Sequence, residues 1–188
     1  MASISFEKLS FAIIEDNAHV RRLLRTILYS FGCRECHEAE DGASGLEVLD
    51  THQPDIVITD LDMPVFDGFD LVRTIRNPKA CKTPMVPIIM LTGYADKSNV
   101  LRARDLGVSE FICKPFATDT LYKRIRNIVE RPRPFVQKGK YYGPEVRPPL
   151  SMVALQQRAE FDPLMQKNAF GEDDTDQVEA DLPGKIEI

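Results

Sequence analysis

Five polar residues, far apart in the sequence, carry the side chains that phosphoryl transfer needs. Glu15, Asp16 and Asp60 are carboxylates, Thr92 is a hydroxyl and Lys114 is an amine. Clustered carboxylates resist ionisation unless a cation joins them, and hard oxygen ligands suit Mg²⁺, which takes one or two carboxylates with waters and phosphate oxygens. An amine and a hydroxyl nearby favour an incoming phosphoryl group. A carboxylate can itself be the nucleophile and form an aspartyl phosphate.

The elements that must position these residues are short strands alternating with helices. Strands are predicted over 11–14, 35–39, 56–59, 88–91 and 111–113. Apolar residues at helical spacing predict helices over 17–31, 43–51, 69–76, 98–106 and 118–130. Continuous apolar strands are typical of a parallel sheet buried on both faces, and strict alternation with helices indicates a doubly wound α/β fold.

This fold class places the five polar residues together. In a doubly wound sheet, ligands bind beyond the carboxyl ends of the strands. Glu15 and Asp16 follow the first predicted strand, Asp60 the third, Thr92 the fourth and Lys114 the fifth. We therefore expect three acids, a hydroxyl and an amine to converge at one edge of the sheet.

Composition divides the 188 residues into four parts. Residues 1–9 form a leader without the apolar region of a secretory signal, and residues 10–130 form the α/β domain. Residues 131–170 form an extension that contains aromatic residues and, within 131–150, five prolines, which exclude a helix or a central strand there. Residues 171–188 form an acidic tail, predicted to be disordered.

Charge and hydropathy exclude several classes of protein. The net charge is −5, so no basic field favours nucleic acid. No run of about 18 apolar residues occurs, so no membrane span is expected. We therefore expect a cytoplasmic protein. Cys33 to His37 reads C-x-x-C-H, the attachment motif of c-type haem, but without an export signal we interpret it as coincidence.

Residues 10–130 resemble the receiver domain of bacterial two-component response regulators, and the resemblance lies in the order and spacing of four motifs. Glu15-Asp16 is similar to the acidic pair of that family. Asp60-Leu61-Asp62-Met63-Pro64, followed by Asp67-Gly68, is similar to its phosphoacceptor loop. Thr92-Gly93 and Lys114-Pro115-Phe116 are similar to its switch and lysine loops. The resemblance implies a stand-alone response regulator with a C-terminal tail, built on a flavodoxin-like five-stranded sheet of order 2-1-3-4-5.

The resemblance also implies a metal and a phosphoacceptor. Asp60 would accept a phosphoryl group from a histidine kinase or a histidine phosphotransfer protein. Asp16 and Asp60 would bind Mg²⁺ or Mn²⁺ through their side chains. Asp62 would bind through its backbone carbonyl, and Glu15 directly or through water.

Further residues receive roles from the same resemblance. Thr92 and Lys114 would bind phosphate oxygens, and the bond between Lys114 and Pro115 is often cis in the family. Thr92 would move on phosphorylation and leave space for Phe111, which stands where many receivers carry tyrosine. Asp62 and Tyr94 hold the positions that tune the lifetime of the phosphorylated state.

The expected output is contact with an unidentified protein through the face made by the fourth helix, fifth strand and fifth helix. Its basic residues are Lys97, Arg102, Arg104, Lys123 and Arg126. Glu110 and Arg124 could form one of the charged pairs through which many receivers dimerise. Val100 and Thr120 occupy other such positions without charge, so we expect a monomer or a weak dimer.

Two alternatives stay open at this point. Asp60-Leu61-Asp62 also resembles the D-x-D motif of haloacid-dehalogenase-type phosphatases, with Asp60 as nucleophile and Asp62 as general acid. That family carries the motif on its first strand, whereas here it follows the third. A receiver that drains a kinase of phosphate without touching a target is the second alternative. In the favoured interpretation the chain is not an enzyme with substrate turnover, but a self-phosphorylating acceptor with slow self-dephosphorylation.

Overall fold

A computed structural model of the protein describes residues 4–93, 96–139 and 141–146. Five parallel strands form one sheet in the order β2-β1-β3-β4-β5, which confirms the predicted fold class and strand order. The strands are β1 Ser10–Ile14, β2 Glu35–Ala39, β3 Ile56–Asp60, β4 Ile88–Thr92 and β5 Glu110–Cys113. The helices are α1 Ala18–Ser30, α2 Gly42–His52, α3 Gly68–Ile75, α4 Lys97–Asp105 and α5 Thr118–Glu130. Every predicted bound lies within one residue of these.

The sheet separates two apolar cores, because successive side chains of a strand point to opposite faces. Val57 of β3 packs with α2, α3 and α4, whereas its neighbours Ile56 and Ile58 pack with α1 and α5. β3 and β4 are buried along their whole length. The central strands are thereby fixed from both faces, which gives their carboxyl ends a rigid base.

Helix starts are set by polar side chains that bind free backbone N–H groups. The Asn17 side chain accepts from the N–H groups of His19 and Val20 at the start of α1. Asp41, Asp67 and Asp96 cap α2, α3 and α4 in the same way. Such caps satisfy donors that have no partner inside the helix.

A β-hairpin follows α5, and the sequence analysis missed it. β6 Phe135–Lys138 pairs antiparallel with β7 Tyr141–Pro144 as a separate two-stranded sheet. Its prolines flank the strands or end them, so they exclude a central strand without excluding a hairpin. Two runs with aromatic or β-branched residues on either side of Gly139-Lys140 were the available signal.

A buried arginine joins the hairpin to the domain. Arg76, 5% exposed, donates to the carbonyl of Gly107 through Nε at 3.0 Å and Nη2 at 2.9 Å, and to the carbonyl of Val86 at 2.8 Å. Its Cζ lies 5.0 Å from the ring centre of Phe135. Burial lowers the pKa of Arg76 to about 10, so it still carries its charge at neutral pH.

The C-x-x-C-H segment divides between the two faces of the sheet. Cys33 and Cys36 pack in the core below α1 and α5 with their sulfurs 3.5 Å apart. His37, the next residue on β2, stacks on His52 at the end of α2, with ring centres 3.7 Å apart. The two thiols and the imidazole therefore lie on opposite faces of the sheet. This separation agrees with the interpretation of the motif as coincidence.

Some sequence predictions fall outside the described residues. These are the lifetime role of Tyr94, the acidic tail 171–188 and the extension beyond residue 146. Across 4–93, 96–139 and 141–146, no helix has both the length and the apolar character needed to cross a membrane.

Candidate functional site

Three carboxylates meet at the carboxyl end of the sheet. Glu15 and Asp16 follow β1, and Asp60 is the last residue of the adjacent strand β3. One carboxylate oxygen from each lies within 4.8 Å of the others. Glu15 and Asp60 are buried, whereas Asp16 is exposed. An acidic cluster with one open side fits a hard divalent cation that keeps part of its water shell.

Lys114 binds two of these acids. Its Nζ lies 2.7 Å from Oε2 of Glu15 and 3.0 Å from Oδ1 of Asp60. Lys114 follows β5, its backbone N–H donates to the carbonyl of Thr92 at 2.7 Å, and its peptide bond to Pro115 is cis. The amine therefore reaches across the sheet from the fifth strand to the first and third.

Burial and the contact between Lys114 and Glu15 act in opposite directions on the pKa of each group. Burial would lower the pKa of Lys114, but its hydrogen bonds to Glu15 and Asp60 outweigh burial and leave the pKa above the ordinary value. Burial raises the pKa of Glu15, and the charge of Asp60 adds to this, while the hydrogen bond from Lys114 opposes it. The lysine therefore stays charged and partly offsets the acids around it.

The loop after β3 closes tightly onto Asp60. Oδ1 of Asp60 accepts from the N–H of Leu61 at 2.9 Å, and the N–H of Gly68 donates to the carbonyl of Leu61 at 2.9 Å. A Cβ on Gly68 would lie 2.3 Å from the carbonyl oxygen of Asp60. The Asp67-Gly68 dipeptide thus does more than make a turn: Asp67 caps α3, and only glycine allows the close approach that follows.

The remaining candidates lie at or beside this edge. Thr92 ends β4, next to β3, and is fully buried. Phe111 is half-buried on β5 and packs against the core on the face of α2, α3 and α4. Asp62 is exposed in the loop after β3. The structure thus brings Glu15, Asp16, Asp60 and Lys114 into one cluster.

Two features of the site were not predicted from the sequence. Arg21 of α1 donates to the carbonyl of Glu15 at 2.6 Å, although an arginine in an amphipathic helix gives no sign of such a contact. Val65, in the loop after β3, has φ +67° and is fully exposed. A β-branched residue rarely adopts this left-handed conformation.

Comparisons with known proteins agree with this fold. The model of the response regulator receiver domain family matches residues 11–126. The chemotaxis protein CheY-3 of Vibrio cholerae is 32% identical over 131 residues, which cover 70% of this chain and 99% of that protein. The chemotaxis protein CheY of Pseudomonas aeruginosa is 32% identical over 119 residues, or 63% of this chain and 94% of that protein.

Superposition on solved structures also shows the receiver fold. The Vibrio cholerae chemotaxis protein CheY4 superposes with a TM-score of 0.59 at 26% identity and covers 64% of this chain and 98% of its own. A response regulator receiver protein from Pseudomonas putida superposes with a TM-score of 0.58 at 28% identity and covers 63% and 96%.

The chain belongs to the response regulator receiver domain family. It is a CheY-like switch of two-component signalling rather than an enzyme that turns over a separate substrate. The alternative of a haloacid-dehalogenase-type phosphatase, with Asp62 as general acid, is not supported, because the family match and the strand order are those of receivers.

Proposed function

We propose that Asp60 is the phosphoacceptor of this switch. The observation that carries the proposal is the position of its carboxylate, which is held at a strand end by Lys114 and grouped with Glu15 and Asp16. An oxygen of Asp60 would attack the phosphorus of a phosphohistidine on a histidine kinase or phosphotransfer protein. The new O–P bond forms as the N–P bond breaks, and the released imidazole nitrogen takes up a proton.

Asp16 and Asp60 would hold Mg²⁺ or Mn²⁺ by their side chains, with Glu15 direct or through water and the backbone carbonyl of Asp62 completing the protein ligands. The close grouping of the three carboxylates supports this assignment. The bound ion would neutralise charge on the phosphoryl oxygens. Lys114 would exchange its contact with Asp60 for a phosphoryl oxygen, and the hydroxyl of Thr92 would bind another.

The switch would act through Thr92 and Phe111. Movement of Thr92 toward the phosphoryl group would open space beside β5, and the half-buried ring of Phe111 is able to enter it. Phe111 has no hydroxyl, so no hydrogen bond is lost when the ring is buried. The acyl phosphate would then be lost by slow self-hydrolysis, at a rate set in part by the exposed Asp62 and by Tyr94.

The proposed output is a protein partner on the face made by α4, β5 and α5, in the cytoplasm. This face is less basic than its composition predicts, since Arg104, Lys123 and Arg126 each pair with an acid on their own helix. Arg102 lies over the ring of Phe69 at 4.1 Å. Partner binding through this face would therefore depend on shape as well as charge.

One ion pair on the same face bears on the proposed oligomeric state. Glu110 is buried and pairs with Arg124 of its own chain at 3.2 Å. A Glu110 side chain already paired with Arg124 is less available to a second copy of the chain, which supports the proposal of a monomer or weak dimer.

The test is labelling of the full chain with acetyl phosphate and Mg²⁺, followed by mass mapping of the modified residue. We expect one label on Asp60, none in Asp60→Asn, none with excess chelator, and retained labelling in the control Asp62→Asn. Full acid-stable labelling of Asp60→Asn would overturn the proposal. A pull-down with a stable acyl-phosphate mimic then distinguishes the output proposal from the phosphate sink. The output proposal predicts that the mimic enriches a target protein, whereas the sink predicts capture of kinases or phosphotransfer proteins alone.

A further inference from the structure

Arg21 holds the backbone of the turn that carries the acidic pair. Its Nη1 donates to the carbonyl of Glu15 at 2.6 Å and lies 3.4 Å from the carbonyl of Asp16. The side chain is 16% exposed, so these contacts are made largely away from water. A charged donor to a backbone carbonyl is among the stronger hydrogen bonds in proteins.

A second strand orients this arginine. Nε of Arg21 lies 3.3 Å from Oε2 of Glu38 on β2, and the other carboxylate oxygen of Glu38 binds Arg25 at 2.6 Å. Arg21 therefore links the edge strand to the Glu15-Asp16 turn. Arg25 shares the same acid but makes no hydrogen bond to the turn among the described residues, and it is more exposed, at 41%.

The backbone N–H and the backbone carbonyl of Glu15 are both held by hydrogen bonds. The N–H of Glu15 donates to the carbonyl of Ala39 at 3.1 Å, and the carbonyl of Glu15 accepts from Arg21. The charges that move the pKa of the Glu15 carboxyl come from Lys114 and Asp60, whereas the contacts of Arg21 with the turn go to its main chain. Arg21 thus acts on the path of the backbone more than on the charge of the carboxylate.

We propose that Arg21 is a positioning residue for the metal site, which it serves by fixing the backbone from which the carboxylates of Glu15 and Asp16 project. This inference rests on the proposed function, since it assigns these two acids to a divalent cation. Groups that orient metal ligands from behind typically contribute a factor of about 10 to 100 in metal affinity. Lysine cannot replace the guanidinium, because a single ammonium cannot hold Glu38 and the turn in one planar arrangement.

The experiment measures Mg²⁺ binding to the full chain by isothermal titration calorimetry. We expect Arg21→Ala to weaken binding by about 10- to 100-fold, and Arg21→Lys to remain close to Arg21→Ala. Arg25→Ala is the matched control and should change affinity by about twofold or less, because a half-exposed ion pair contributes little. Glu38→Gln, which keeps the shape of the side chain, should give an intermediate loss and replaces Arg21→Ala if that variant fails to fold.

Hydrogen exchange of the Glu15 amide in metal-free protein gives a readout independent of the ion. It should be faster in Arg21→Ala than in the wild type or Arg25→Ala. Wild-type Mg²⁺ affinity in Arg21→Ala would overturn the inference alone, and so would full rescue by Arg21→Lys, since charge would then suffice. Failure of the wild type to bind Mg²⁺ would instead overturn the proposed function and this inference with it.

Discussion

Lys114 is the one amine that contacts both buried acids among the described residues. Three carboxylates face this single positive charge, so the cluster keeps an excess of negative charge when Glu15 is ionised. A divalent cation would remove that excess of negative charge. It would also weaken the attraction that holds the amine of Lys114 at Glu15 and Asp60. The lysine is therefore placed to release one acid when the ion and a phosphoryl group arrive.

Val65 carries local strain in the loop that leads away from Asp60. Its φ of +67° is unfavourable for a β-branched residue, and its exposed side chain makes no packing that would compensate. We expect Val65→Asn to stabilise the protein by about 1 kcal/mol, because asparagine tolerates the left-handed conformation. Urea denaturation measures the change.

The control for this substitution is Val100→Asn. Val100 is also exposed but lies in α4, where asparagine and valine have similar helix propensity. A comparable gain in Val100→Asn, or a loss of stability in Val65→Asn, would contradict the explanation by backbone strain.

At the residue scale, the sequence predicts the cluster of acids and lysine but not the neighbouring backbone contacts and conformations. Glu15, Asp60 and Lys114 converge because each follows a strand of one parallel sheet, and strand order alone brings them together. The contact of Arg21 depends on the rotation of α1 against β2, and the left-handed conformation of Val65 is one that its residue type disfavours. Neither is encoded in a local pattern.

At the scale of elements, the helix caps predict how stability depends on pH. Backbone N–H groups of Ser44 and Asn99 lower the pKa of Asp41 and Asp96, respectively. A lowered folded-state pKa means that the caps stabilise the protein above the unfolded-state pKa of about 3.9. Their contribution is lost as the pH falls through the lowered folded values.

The double variant Asp41→Asn, Asp96→Asn should therefore lose less of its thermal stability than the wild type between neutral pH and about pH 3. Asparagine is also a good cap but does not titrate. Glu47→Gln, on the exposed face of α2, is the control and should follow the wild type, since among the described residues Glu47 makes neither a cap nor an ion pair. Parallel curves of melting temperature against pH for wild type and double variant would rule out this origin.

Gly68 packs the start of α3 against the end of β3. In Gly68→Ala the new methyl group would meet the carbonyl of Asp60 at 2.3 Å, so backbone must move on one side or the other. We expect a destabilisation of about 1–3 kcal/mol and slower labelling by acetyl phosphate per folded molecule. Wild-type rates and stability together would show that the loop adapts without moving Asp60.

The elements themselves were predictable because their signals are local. Apolar runs and apolar residues at helical spacing predict the bounds of β1–β5 and α1–α5 to within one residue. The hairpin β6–β7 was missed because its prolines dominated the composition of 131–150, while the short pairs of aromatic and β-branched residues that form its strands are weak signals. Its docking depends on Arg76 and Gly107, both distant in sequence.

At the scale of the whole domain, the hairpin rests on a contact between two glycines. A Cβ on Gly143 would lie 2.8 Å from the Cα of Gly107. Gly143→Ala should therefore displace the hairpin, lower stability by about 1–3 kcal/mol and speed tryptic cleavage after Lys138, which precedes Gly139. Gly93→Ala is the matched control, since no heavy atom lies within 4 Å of its Cβ position. Unchanged cleavage in Gly143→Ala would show that the hairpin adapts.

The length of the folding unit can be tested by truncation. Ending the chain at residue 130 removes the ring of Phe135 and the contact of Arg133 with the carbonyl of Ser109. We expect a clear fall in melting temperature, whereas removal of 171–188 should leave it unchanged because that segment is acidic and poor in aromatic residues. A large fall on removing 171–188 would contradict the division proposed from composition.

The facing glycines have a consequence for how sequences of this kind diverge. A Cβ at position 143 would lie 2.8 Å from the Cα of Gly107, and a Cβ at position 107 would lie 3.2 Å from the Cα of Gly143, so each position limits the residue at the other. In a related chain whose hairpin is not packed here, the residue at position 143 would no longer have to be glycine. Position 107, with φ +90°, would still favour glycine. Residue 143 is therefore the better marker of whether a related chain retains the packed hairpin.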